Sequence, residues 1–404
     1  ISVGTAADLA ALGGQDIEGN ITLTADIDMS KTAMTPIKSL KGCFNGDGKT
    51  ISGLALEGGN DSNTGLIGQL DGSVINLKMT DVSITGIGSY NNVGTLVGYI
   101  ADGSTSKIDN CYVSGTITSS GGNEHTMIGG LVGYMTGPFD KHTALSINNC
   151  VSNVTLTCAR SNYIGGLLGT AQYYSDVTIT KCAQLGEISG NGTGGGLIGY
   201  ISTASPTLTL EKSYVGSKVG SSAKYIIAYN FAAPSKVTCT DFYWNSSHYP
   251  FYDIPYLIKF GENLFTNGTT KSTTADLKSL TMDGFEVRKG EFGGYPVPKW
   301  TPAAAPEPIT PPAPAFSCAL TFTGVENDRL TVKDSKGNRL TATDGVYTLS
   351  ATGKYTYSVT FDEKSDYNNI GDTAFTVGEN DTTKTIAVTL TYKTTEPSGD
   401  GTVE

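Results

Sequence analysis

The sequence predicts an all-β protein: a right-handed parallel β-helix (a β-solenoid) with short capping helices, followed by a small C-terminal β-sandwich. Three observations lead there. An apolar tetrad closed by glycine recurs as Gly65-Leu66-Ile67-Gly68, Thr95-Leu96-Val97-Gly98, Gly130-Leu131-Val132-Gly133, Gly166-Leu167-Leu168-Gly169 and Gly196-Leu197-Ile198-Gly199. Its leucines lie 30, 35, 36 and 30 residues apart, and Tyr225-Ile226-Ile227-Ala228 reads as a degraded further copy. A second phrase follows each tetrad, clearest as Ile108-Asp109-Asn110-Cys111-Tyr112-Val113, with counterparts beginning at Val74, Ile147, Ile179, Leu210 and Cys239. Aligning these phrases gives one column, Leu77, Cys111, Cys150, Cys182, Ser213 and Phe242. Stacked rungs produce such a column because equivalent side chains lie about 4.8 Å apart. Finally, the segments between are short, alternating and rich in Thr, Val, Ile and Gly, without helical periodicity.

A period of this length with two or three short strands per repeat is that of a solenoid. The glycines read as corners that need a positive φ, and the varying repeat length as insertions on one face. A β-propeller blade needs four strands in about 40–50 residues. A sandwich of hairpins needs a turn signal once per hairpin, whereas Asp71-Gly72 and Asp102-Gly103 come once per repeat.

Taken in order, residues 1–300 form the β-helix with its end caps. Thr5 to Gly13 reads as a short helix over the first rung, with Thr5 as N-cap and Gly13 just past the end. Residues 273–282 read as a second short helix near the other end. Residues 301–315 are Pro/Ala-rich, a stiff extended linker. Residues 316–393 alternate as a β-sandwich does, through Leu320, Phe322, Leu330, Val332, Tyr347, Leu349, Tyr355, Tyr357, Val359, Phe375, Val377, Ile386, Val388 and Leu390. Residues 394–404 are polar and read as a disordered tail.

Composition narrows function. The chain has 404 residues, 27 Lys+Arg against 38 Asp+Glu, and a net charge of −11. Nucleic acid and anionic membranes both need a basic surface. No stretch of 18 apolar residues occurs, so no membrane-spanning helix is predicted. The start lacks a basic, apolar leader, and the chain reads as one from which a signal peptide has been removed. Seven cysteines without a CxxC pair, three of them in the repeat column, read as small buried hydrophobes rather than disulfides or ligands. Three histidines, His125, His142 and His248, lack ligand spacing. Neither a metal nor a cofactor is predicted.

No residue set converges on catalysis. Asp26 and Asp28 share one face of a strand, which fits either a calcium or general-acid site or a solvated corner. Asn45-Gly46-Asp47-Gly48-Lys49-Thr50 has one residue between its glycines where a phosphate loop has four. Gly-x-Ser-x-Gly and His-Glu-x-x-His are absent. Asp102, Asp109, Asp140, Asp176 and Glu187 fall in different repeat columns. The strongest local feature is aromatic: Phe242, Tyr243, Trp244, Tyr249, Phe251, Tyr252 and Tyr256, with His248 and Asp253 among them. These rings read either as a layer closing the last rung or as a face on which sugars stack. Tyr243, Trp244, Tyr249 and Tyr252 are the candidate ligand contacts there, with Tyr173 and Tyr174 as a second pair beside a long loop.

The tetrads and the Ile-x-Asn-Cys-Tyr phrase resemble the GLUG-motif repeats of bacterial secreted and surface proteins. The lead-in Leu23-Thr24-Ala25-Asp26-Ile27-Asp28-Met29 with Phe44-Asn45-Gly46-Asp47-Gly48, and the closing Gly294-Tyr295-Pro296-Val297-Pro298-Lys299-Trp300, are similar to the flanks of such repeats. The C-terminal part resembles Ig-like or carboxypeptidase-regulatory-like β-modules. The resemblance implies a secreted or cell-surface location, and repeats that also occur beside peptidase modules, whose zinc signature this chain lacks. The resulting expectation is a non-enzymatic binding or adhesion module, monomeric within a larger surface protein, contacting glycans or matrix polymers through a β-helix face. A polysaccharide-active lyase or hydrolase with an unrecognised carboxylate cleft, and a purely structural stalk, stand as alternatives.

Overall fold

The computed structural model describes residues 1–60, 62–119, 125–158, 163–190, 193–201, 207–216, 218, 225–229, 236–248, 269–304, 318–349, 351–378, 381–391 and 393. They divide into two compact units, Ile1–Ile309 and Thr310–Glu404.

The first unit is a parallel β-solenoid. One coil runs through Asn92–Gly94, Val97–Ile100, Thr105–Asp109 and Tyr112–Ser119. Each strand pairs in parallel with its counterpart one repeat later: Met127–Gly129, Val132–Met135, Thr143–Asn148 and Val151–Cys158. The tetrad column is continuous through Ile37, Ile67, Val97, Val132, Leu168, Ile198 and Ile227. The second phrase is equally in register, through Val74, Ile108, Ile147, Ile179, Leu210 and Cys239. The tetrad leucines Leu66, Leu96, Leu131, Leu167 and Leu197 are fully buried. Each contributes roughly 1.5–3 kcal/mol by leaving water, and together they make the coil interior one apolar rod.

The cysteine column packs inside this rod. Cys111, Cys150 and Cys182 are buried, and all seven cysteines are thiols. Each thiol donates to a carbonyl two residues back: Cys111 to Asp109 at 3.3 Å, Cys150 to Asn148 at 3.0 Å and Cys182 to Thr180 at 3.2 Å.

The corners differ from the expectation. The tetrad glycines do not turn them: Gly98, Gly133, Gly169 and Gly199 lack a left-handed φ. They are required by close backbone approach. A Cβ on Gly133 would lie 2.4 Å from the Val93 nitrogen and 2.6 Å from the Gly98 oxygen. Glycines outside the tetrads do turn corners, as Gly53, Gly86 and Gly103 with φ of 66°, 64° and 66°, and a further left-handed column runs through Asn76, Asn110, Asn149, Lys181, Lys212 and Asp241, with φ of 54°, 54°, 55°, 52°, 45° and 51°. Asparagine tolerates this conformation better than most residues, and here the corners also build a ladder. The Nδ2 of Asn76 donates to Asn45 Oδ1 at 3.3 Å, that of Asn110 to Asn76 at 2.9 Å and that of Asn149 to Asn110 at 3.0 Å.

The N-terminal end is closed as predicted. Helix α1, Ala6–Ala11, begins at a capping box in which Thr5 accepts from the Asp8 amide and Asp8 accepts from the Thr5 amide. Its Leu9 is fully buried in the solenoid core.

The other predicted cap is corrected. Helix α2, Thr274–Lys278, starts from the same kind of capping box at Thr273 and Asp276, but it packs outside the coil. Its Leu277 joins Val151, Ala183, Tyr214, Met282, Phe285 and Val297 in a separate apolar cluster on the flank. From α2 the chain runs back along the solenoid as a strap. Phe285–Val287 and Pro296–Pro298 pair antiparallel. Tyr214 donates through its hydroxyl to Pro296 O at 2.5 Å, and Tyr112 meets Phe292 edge-on at 4.9 Å. Asn149 donates to Lys299 O at 3.0 Å, and Lys78 lies 4.7 Å from the Trp300 ring centre. The strap reaches Asn76 at Ala303.

The second unit is a β-sandwich of two three-stranded sheets. Cys318–Thr323 sits between Tyr347–Leu349, antiparallel, and Thr383–Ala387, parallel. Gly353–Val359 sits between Leu330–Lys333 and Ile370–Val377, both antiparallel. One core serves both sheets: Leu320, Phe322, Val332, Tyr347, Tyr357 and Val359 are buried, and Phe375, Ile386 and Leu390 pack against them.

Candidate functional site

The strongest surface feature of the solenoid is an aromatic ridge, built by register. The residue after the tetrad glycine points out of the sheet, and Tyr99 and Tyr134 are direct cross-strand partners. Their rings stack with centres 5.5 Å apart and planes 18° apart. Half-burial raises the pKa of both phenols, that of Tyr99 further through its hydrogen bond to Asp102. Both are therefore neutral donors at any physiological pH. Tyr134 donates to Gln172 Oε1 at 2.8 Å.

Beyond these strands the coils turn, and the turns of successive coils hold each other. The Gly137 amide donates to Tyr173 O at 2.7 Å and the Thr143 amide to Tyr174 O at 2.9 Å. The Gly103 amide donates to Thr143 Oγ1 at 2.7 Å. On this frame stand Tyr173, 46% exposed, and Phe139, 83% exposed. Phe139 meets Tyr174 edge-on at 5.3 Å, and the His142 ring lies 5.7 Å from Tyr174. His142 Nδ1 is 3.1 Å from Asp176 Oδ2, and Asp176 accepts from the Thr207 hydroxyl. The result is a fixed, open strip of rings flanked by an amide, an imidazole and carboxylates. It offers apolar faces to ring C–H groups and hydrogen bonds to hydroxyls.

Tyr173 and Tyr174 of the predicted set meet here. Of the other predicted cluster, the described rings Phe242 and Trp244 are buried. Trp244 is 1% exposed, paired with Val215 inside the coil, so its ring is out of reach of a surface ligand. It does not close the last rung either, since Thr269–Ser272 pairs onto it. Tyr243 points to the flank and packs against the strap cluster. Tyr249 and Tyr252 lie outside the described residues. Sequence reasoning missed Phe139, His142, Gln172 and the Tyr99–Tyr134 pair. The repeated Gly-Tyr of Gly98-Tyr99, Gly133-Tyr134 and Gly199-Tyr200 was a readable signal for the last.

The carboxylates singled out in the lead-in hold backbone, Asp26 across to a following strand and Asp28 within a local turn. Asp26 accepts from the Thr50 amide at 2.7 Å, and Asp28 accepts from the Ser30 amide at 2.9 Å. That bond holds the Asp28 carboxyl below its usual pKa range. The Asn45–Thr50 segment is a turn in which Asn45 accepts from the Asp47 amide at 2.9 Å, followed by the strand Thr50–Ser52. Among the described residues no group of three or more His, Cys, Asp or Glu could hold a metal ion.

No family model matches the chain. Part of it is similar to halomucin of Haloquadratum walsbyi, at 31% identity over 39% of this chain and 2% of halomucin. The chain thus spans a very small fraction of that relative. Among solved structures it is similar to a "putative immunoglobulin A1 protease" from Bacteroides ovatus. The TM-score is 0.50 and the identity 18%, covering 74% of this chain and 92% of that one. At that identity the likeness is one of fold.

Proposed function

We propose that the chain is a non-catalytic module of an extracellular or cell-surface protein, and that it contacts glycan polymers through the ridge of Tyr99, Tyr134, Phe139, Tyr173 and Tyr174. The observation that carries this reading is the exposure of Phe139 and Tyr173 on turns locked to each other by backbone hydrogen bonds. Exposed rings on a rigid support lose little entropy on binding, and a flat strip along stacked coils suits a long partner better than a small one. The name of halomucin and that of the "putative immunoglobulin A1 protease" of like fold support a place outside the cell, as does the resemblance to GLUG-repeat surface proteins.

The test is a polysaccharide array read with the full chain, with Tyr174→Ala and Phe139→Ala beside it. Binding that falls at least about tenfold in both variants, with unchanged thermal unfolding, supports the reading. Binding indifferent to both substitutions, or a clean negative across the array, overturns it. Release of new reducing ends by the wild type would replace it with the enzymatic alternative.

A further inference from the structure

The strap and the coil enclose a cleft of about 290 Å³ lined by Lys78, Thr80, Tyr112, Arg288, Glu291 and Phe292. It stands apart from the ridge, on the flank of the Tyr112 column. We propose that this cleft is a binding site for one carboxylate-bearing sugar ring, a hexuronate of an acidic polysaccharide. The proposal rests on the glycan reading and deepens it by naming a charged sugar at a second site.

The volume sits at the low end for ligand pockets, about 300–1,000 Å³, which suits a single ring. One wall is aromatic, where Tyr112 and Phe292 meet edge-on at 4.9 Å, and the Lys78 that lines the cleft has its Nζ 4.7 Å from the Trp300 ring centre. Thr80 and Tyr112 bring hydroxyls and Glu291 a carboxylate, the groups that pair with sugar hydroxyls.

Charge selects the ligand. On a chain of net charge −11, the cleft places two cations together. Arg288 is committed: its Nε bonds Glu286 at 2.8 Å and its Nη1 lies 3.9 Å from Glu291. Among the described residues no carboxylate lies within 4.0 Å of the Lys78 ammonium, whose contact is the Trp300 face. A sulfate or phosphate group is best read by a bidentate guanidinium fork, and Glu286 already takes part of that fork. The uncommitted group is a point-charge ammonium beside aromatic rings, which suits a carboxylate on a pyranose.

The experiment titrates the full chain with a short oligogalacturonate, with its fully methyl-esterified form and with a sulfated, carboxylate-free oligosaccharide. The free acid is expected to bind at least about tenfold more tightly than the ester, the scale of one charge-assisted hydrogen bond. Lys78→Met should bring free-acid affinity down to the ester's level, and Lys78→Arg should retain most of it. Lys31→Met, at an exposed lysine outside both the cleft and the ridge, should leave it unchanged, and the ridge is read separately, by the polysaccharide array with its own variants. Equal binding of acid and ester, tighter binding of the sulfated probe, no binding of the acid, or indifference to Lys78→Met in a folded protein overturns the proposal. So does an equal loss of free-acid binding in Lys31→Met, which would mark it as unspecific attraction to surface charge.

Discussion

Asn76 grips Ala303 by both atoms of its side-chain amide: Nδ2 donates to Ala303 O at 2.9 Å and Oδ1 accepts from the Ala303 amide at 2.7 Å. The same side chain continues the corner ladder to Asn45 and Asn110. One residue, 4% exposed, therefore ties successive coils together and fastens the strap across them.

Asn76→Ala removes the grip, orphans the Asn110 amide and leaves alanine at a left-handed corner. The expected loss is roughly 3 kcal/mol, measured by urea unfolding. Trypsin should also cut after Lys299, an exposed residue, faster than in the wild type. A strap as well protected as before would refute the grip.

The buried thiol column predicts an alkaline limit. Burial raises the Cys111 and Cys150 thiols well above the ordinary value of 9.0, and raises Cys239 to about 12. A raised folded pKa favours the protonated form in the fold. Its contribution is complete below about pH 9, where the unfolded thiols also keep their protons, and is lost as pH rises above it. Stability should therefore fall above pH 9, and Cys150→Ala should make that fall shallower. An unchanged slope would show that other groups carry it.

Two glycines separate two reasons for glycine. Gly133→Ala forces a Cβ against backbone on both sides and should cost about 3 kcal/mol. Gly290 has φ of 82° and nothing within 4 Å of its would-be Cβ, so Gly290→Ala should cost only about 1 kcal/mol of conformational strain. Equal losses in calorimetry would contradict this assignment.

Phe139→Ser should change stability by no more than about 0.5 kcal/mol, since the side chain is 83% exposed. Its effect is expected in polysaccharide binding alone. A lowered unfolding temperature would mean that the ring serves the fold.

The repeat architecture was legible down to register. The phrases beginning at Val74, Ile147, Ile179, Leu210 and Cys239 are true cross-strand partners, because stacking forces equivalent residues to share an environment. The inward course of Trp244 was also within reach: strand parity sets Phe242 and Trp244 on one face and Tyr243 on the other. The ridge was legible at Tyr173 and Tyr174 and, through the repeated Gly-Tyr, at Tyr99 and Tyr134. Phe139 and His142 belong to a loop of another repeat, and nothing local in the sequence says that their loop lies against Tyr174. The strap was hidden for the same reason. The partners of Asn76 and Ala303 lie 227 positions apart, and a closing phrase reads alike whether it crowns a stack or runs down its side.

The strap's course has a mechanical consequence. The last described stretch of the strap lies beside Asn76, many coils back from Trp244 and the strand Thr269–Ser272, so tension entering the strap from its C-terminal side meets Asn76 before those strands. It falls first on the Asn76–Ala303 clasp, then on Trp300 over Lys78 and on Lys299 at Asn149. Strain on the strap is thereby shared out among several coils through side-chain contacts.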